Sequence, residues 1–139
     1  RKGTALQVRN EQDDMAYPLS SAIFRNCIIA GSGTDEINGG RSKNEGIAFN
    51  YYFSHCLINS VKEENDKIVN VIWEKDDNFS LMDSRTQEYS FNLNEKSKAT
   101  NLGKQEDAIA YPTDRNGNSR LRDAAPDAGC YESMILPSH

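Results

Sequence analysis

The chain has 139 residues, 37% of them hydrophobic, and a formal net charge of −5; its mean hydropathy is −0.74. These values fit one domain with a narrow core and a very polar surface. They exclude a nucleic-acid binder that tracks phosphates with a basic face, and Arg115, Arg120 and Arg122 are answered by Asp114, Asp123 and Asp127. No apolar run reaches the ~18 residues of a membrane span. No window keeps helical periodicity for more than about three turns.

Residues 1–20 are polar, with one weak strand candidate at Thr4-Ala5-Leu6-Gln7-Val8 and a surface loop expected at Asn10-Glu11-Gln12-Asp13-Asp14. A strand is predicted over 21–30, with Cys27 and Ile29 on one face and Asn26 and Ile28 on the other. Apolar residues on both faces require burial on both, or a cover outside the strand. A short strand begins at Asp35-Glu36-Ile37, and a flexible loop follows over 38–46. Phe49, Tyr51 and Phe53 alternate with Asn50, Tyr52 and Ser54, as in a strand. Phe24-Arg25-Asn26-Cys27-Ile28-Ile29 and Phe53-Ser54-His55-Cys56-Leu57-Ile58 are near-copies starting twenty-nine residues apart. That spacing suits one coil of a β-solenoid. A charged loop over 61–67 precedes a β-prone run at Ile68-Val69-Asn70-Val71-Ile72-Trp73. Phe79 to Asp83 and Tyr89 to Leu93 are two short alternating strands. From Asn94 the chain is rich in turn formers and reads as a cap.

The ordered segments match a known pattern. They are the Cys-Ile-Ile coil, the Phe49-to-Ile58 coil, Tyr89-Ser90-Phe91-Asn92-Leu93, Ala99-Thr100-Asn101-Leu102-Gly103, Asp114-Arg115-Asn116-Gly117-Asn118-Ser119-Arg120 and the closing Asp127-Ala128-Gly129-Cys130-Tyr131-Glu132. Together they resemble the C-terminal end of bacterial right-handed parallel β-helix proteins of the pectate lyase-like superfamily. Within it they resemble the choice-of-anchor Q group of cell-surface proteins, over roughly Phe24 to Glu132. The family usually has Ile and Ala where Ala128 and Cys130 stand, and a proline that Ser97-Lys98-Ala99 lacks.

The resemblance implies an all-β fold: the last two to four coils of a right-handed parallel β-helix over 1–93, ended by an irregular cap over 94–139. More coils of the same parent protein are expected before Arg1. The resemblance implies an exported cell-surface protein that is a scaffold or carbohydrate-binding module, with no catalytic residue in this segment. Two alternatives stand beside it: a polysaccharide lyase or glycoside hydrolase whose catalytic coils lie upstream, and a self-associating structural protein. No cofactor is expected.

Of the individual side chains, Tyr51, Tyr52 and Trp73 are the candidates for stacking on a sugar, with Tyr89 as a further aromatic. Cys27 and Cys56, as inward ladder neighbours ~4.8 Å apart, read as buried free thiols. Their Cα separation permits a disulfide, but parallel Cβ vectors disfavour one. Cys130 completes an odd count, and no zinc ribbon is indicated. His55, next to Cys56 on a strand, points to the opposite face and bonds a neighbouring coil or the cap; His139 is terminal. Glu74, Asp76, Asp77 and Asp83 form a solvated turn, with a calcium site as the alternative. Asp114, Arg120, Asp127 and Tyr131 are read as structural residues of the cap. Arg120 and Asp127 are expected to form a charge-assisted pair or to bond adjacent backbone.

Overall fold

A computed structural model describes residues 4–75 and 77–133. The first strands are β1 (Leu6–Arg9), β2 (Glu11–Gln12), β3 (Met15–Ala16), β4 (Leu19–Arg25), β5 (Ile28–Ile29) and β6 (Ile37–Gly40). There follow β7 (Phe49–Ser54), β8 (Leu57–Ile58), β9 (Ile68–Val69), β10 (Ile72–Trp73), β11 (Phe79–Asp83) and β12 (Glu88–Leu93). A one-turn helix, α1 (Gln105–Ala108), is the only helix among the described residues.

The strands form five small sheets. Three are parallel: β1 with β6, β7 between β4 and β9, and β8 between β5 and β10. Two are antiparallel hairpins, β2–β3 and β11–β12.

The expected right-handed parallel β-helix does not form. Each sheet holds only two or three strands, and none closes into a coil. The molecule is all-β in a loose sense only. The reason lies in the spacing of the ladder. Phe24 pairs with Phe53, and Phe53 with Ile68. The second interval is about half the first. Between β8 and β9 no strand joins the β1–β6 sheet. The chain instead takes a short route through Val61-Lys62-Glu63-Glu64-Asn65-Asp66-Lys67, whose charged side chains resist burial. After β10 it leaves for an antiparallel hairpin.

Left-handed corners fix where the strands break. Asn26, His55 and Asn70 have φ of 55°, 55° and 51°. Each interrupts what period-2 patterning reads as one continuous strand, so the run predicted over 21–30 is split into β4 and β5. Asn enters this region more readily than most residues because its short polar side chain bonds locally. After each corner the chain resumes in register, with Ile28, Leu57 and Ile72 on one rung and Ile29, Ile58 and Trp73 on the next.

The β5–β8–β10 sheet is apolar on both faces, as its sequence requires. On the inner face Ile29, Cys56 and Ile58 join Val8 and Phe53, with Phe24, Cys27, Val71 and Trp73 packed against them. Phe24 and Phe53 stack at 4.9 Å. On the outer face Leu57, fully buried, meets Leu93, Ala99 and Ala128, flanked by Ile28 and Ile72. The cover is thus supplied by Phe79 and Leu93 of the β11–β12 hairpin and by the chain beyond it. Burying a leucine side chain in this way is worth about 1.5–3 kcal/mol.

Two expected loops are more ordered than their composition suggests. Asn10 is fully buried: its amide donates to the Ala48 carbonyl (3.1 Å), and its Oδ1 accepts from Ser42 N–H (2.6 Å). It serves as an internal backbone clamp. Asn38, Gly39 and Gly40 belong to β6 and pair with Gln7, Val8 and Arg9. Two glycines in succession hide the strand from a propensity reading.

Candidate functional site

The missing third strand beside β6 leaves an opening. Val8, Ile37, Phe49, Tyr51 and Phe53 of β7, Ile68 and Trp73 line a cleft of about 560 Å³ there. The β7 aromatics form a continuous row: Phe49 meets Tyr51 edge-on at 5.4 Å, and Tyr51 lies 5.9 Å from Phe53. The charged loop is the rim. Asn65 Nδ2 donates to the Tyr51 hydroxyl (3.0 Å), and Lys67 Nζ donates to the Phe49 carbonyl (3.0 Å). The same ammonium sits 5.0 Å from the Tyr51 ring centroid, a cation–π contact. Asp35, Arg41, Glu63 and Asp66 complete the rim, and Ser60 donates from its hydroxyl to Asp35. An apolar, aromatic wall with a few convergent polar groups is the usual composition of a small-molecule site.

Of the three aromatics singled out for sugar stacking, Tyr51 and Trp73 face this one cleft. Tyr52 lies on the other face of β7, paired with Ile23. Tyr89 sits apart on the β11–β12 hairpin, stacked on Phe91 at 6.5 Å. The sequence reading missed Lys67 and Asn65, whose charged loop looks like a solvated excursion. The signal that finds them is the shortened interval to Ile68, which forces this loop across the opening.

Cys27 and Cys56 are ladder neighbours, with Leu57 N–H donating to the Cys27 carbonyl (2.9 Å). All three cysteines are free thiols. His55 occupies a corner rather than a strand. Asn70 Nδ2 donates to its Nε2 (3.1 Å), which leaves the proton on Nδ1 to donate to Ser54 Oγ (2.6 Å). It thereby bonds the next pass of the chain. His139 lies outside the described residues.

The acidic turn is taken up locally. Asp77 accepts from Phe79 N–H, Asp83 from Arg85 N–H, and Glu74 pairs with Lys98 at 2.9 Å. Asp76 lies outside the described residues. Among the described residues no group of three or more His, Cys, Asp or Glu side chains is placed to hold a metal ion.

In the tail, Arg120 pairs with Glu132 (2.8 Å) rather than with the Asp127 carboxylate. Its second nitrogen donates to the Gly129 and Cys130 carbonyls, each at 3.0 Å. Asp127 instead accepts from the N–H groups of Asn101 and Ser133. Asp114 accepts from Asn116, Asn118 and Glu132 N–H groups, all at 2.8 Å. Tyr131 is half-buried beside them. This network shapes the segment whose Ala128 covers Leu57.

No helix among the described residues is long and apolar enough to cross a membrane. No protein-family model, curated protein or solved structure matches the chain.

Proposed function

We propose that this chain is a glycan-binding module of an exported cell-surface protein, with no catalysis in this segment. The observation that carries the reading is that Tyr51 and Trp73, two of the aromatics suited to sugar stacking, line one cleft rimmed by hydrogen-bonding groups. The flat ring faces suit the C–H faces of a pyranose, and the rim amide and ammonium suit its hydroxyls. The resemblance of the tail motifs to cell-surface proteins supports the exported setting. Polysaccharide is the expected partner.

The chain has a single tryptophan, Trp73, so its fluorescence reports directly on the cleft. A glycan array selects a ligand, and titration of that ligand is expected to shift the Trp73 emission. Tyr51→Ala and Lys67→Ala are each expected to weaken binding by about tenfold or more, the loss of roughly 1.4 kcal/mol. Tyr52→Ala leaves it unchanged. Binding that survives Tyr51→Ala and Lys67→Ala, or is abolished by Tyr52→Ala alone, places the ligand elsewhere and overturns the reading.

A further inference from the structure

We infer that Cys27 and Cys56 form a reversible dithiol site for low-molecular-weight disulfides, with Cys27 as the attacking sulfur and Cys56 as the resolving one. Three observations meet here. First, the left-handed corners at Asn26 and His55 set the next residue of each pass on the same rung, facing the same interior. Second, the two sulfurs are unequal in access. Cys56 is fully buried in the central strand register, whereas Cys27 is half-buried beside the edge strand β5. Third, the neighbouring thiols perturb each other, while each S–H lies against backbone carbonyls: Cys27 against Arg25 (3.2 Å), Cys56 against Ser54 (3.3 Å) and Phe24 (3.4 Å). The adjacent Cys56 thiol lowers the Cys27 pKa to about 7, against the upward push of burial. The same pairing, with burial, raises that of Cys56. A thiol pair with one accessible sulfur at ambient pKa and one shielded partner has the division of labour of a disulfide-exchange couple.

The Cys27 thiolate attacks one sulfur of RSSR; the S–S bond breaks and RS⁻ leaves, taking a proton from water. Cys56 then attacks the Cys27 sulfur of the mixed disulfide; that S–S bond breaks, and the Cys56 proton passes to the departing sulfur, which leaves as the second RSH. Two protein thiols are oxidised and RSSR is reduced to two RSH. The product joins two adjacent passes of the chain. Side-by-side Cβ atoms strain such a bridge, which makes it readily reduced.

The test uses the full chain carrying Cys130→Ser, so that the exposed third thiol cannot compete. Oxidised glutathione at neutral pH is expected to remove two hydrogens from the intact mass, with a Cys27–Cys56 cross-link in unreduced peptide maps that dithiothreitol reverses. With Cys56→Ser added, a glutathione adduct is expected to accumulate on Cys27. Iodoacetamide on the unoxidised Cys130→Ser protein is expected to label Cys27 alone, its rate rising through about pH 7 rather than the 8.5 of a free cysteine. This last measurement needs no change at Cys56, so it stands even where Cys56→Ser does not fold. The inference is overturned if both inner thiols survive oxidised glutathione, or if iodoacetamide labels Cys56 as fast as Cys27.

Discussion

His55 illustrates how a single residue does structural work that its chemistry disguises. A histidine beside a cysteine invites a catalytic reading, yet its backbone sits at φ 55° and its two ring nitrogens are spent on Ser54 and Asn70. Its first requirement is conformational. A β-branched residue at this corner pays about 1–2 kcal/mol for the left-handed backbone alone, and leaves Ser54 and Asn70 without their partner. His55→Val is therefore expected to lower urea-measured stability by at least that amount, while His55→Asn costs much less. Equal losses in the two variants would show that the ring, not the backbone, matters there. The sequence made part of this corner legible. Phe24-Arg25-Asn26-Cys27-Ile28-Ile29 and Phe53-Ser54-His55-Cys56-Leu57-Ile58 are visible copies. The third member, Ile68-Val69-Asn70-Val71-Ile72-Trp73, escapes because Val replaces Cys and Ile replaces Phe, so only the pattern of left-handed, inward, outward and inward positions persists. Asn can supply a left-handed corner or sit in an ordinary strand or loop, and its letter does not say which.

At the scale of elements, the tail beyond β12 is held by carboxylates rather than by regular structure. Burial pushes the Asp114 carboxyl pKa up, but the Glu132, Asn118 and Asn116 N–H groups together outweigh it and leave it below the usual aspartate value of 3.8. A depressed pKa contributes stability that is present above the unfolded value and is lost as pH falls through the folded one. Glu132 has the opposite sign: burial raises it above 4.5, so its contribution is present in acid and is lost as pH rises through the folded value. Unfolding midpoints measured across the acid range should therefore show a shallower acid loss in Asp114→Asn, and a gain toward neutral pH that is smaller in wild type than in Glu132→Gln. A wild-type slope unchanged in Asp114→Asn would mean that Asp114 titrates alike in the folded and unfolded chain. The pairing of Arg120 with Glu132 was not legible in advance. Asp127 and Glu132 follow the arginine by 7 and 12 residues, and only the path of 128–131 decides between them. Gly129 sets that path, at φ +100° with Ile28 Cδ1 2.9 Å from where a Cβ would stand.

At the scale of the whole molecule, the β5–β8–β10 sheet lies between two apolar layers, and one of them is built from the β11–β12 hairpin and the tail. A chain ended at Leu93 would strip Ala99, Leu102 and Ala128 from Ile28, Leu57 and Ile72. It is expected to lose cooperative unfolding and to bind a hydrophobic dye, whereas a chain that stayed cooperative would show the tail's share of the outer layer to be dispensable. The need for such a cover was readable from Ile28 lying opposite Cys27 and Ile29. The failure of the sheets to close was not. Closure depends on how many residues separate equivalent rungs, and the resemblance carried an expected coil length past the point where the chain abandons it.

That shortfall has a consequence for how chains of this type would diverge. The segment between Ile58 and Ile68 spans the cleft without contributing a strand, so its length sets the width of the opening while the paired rungs on either side stay fixed. On the proposed glycan-binding reading, selection for a different ligand would then act through insertions and deletions there, sparing the corners. On that reading, a comparison built on substitutions alone would record kinship in architecture and miss the loop length that sets the opening.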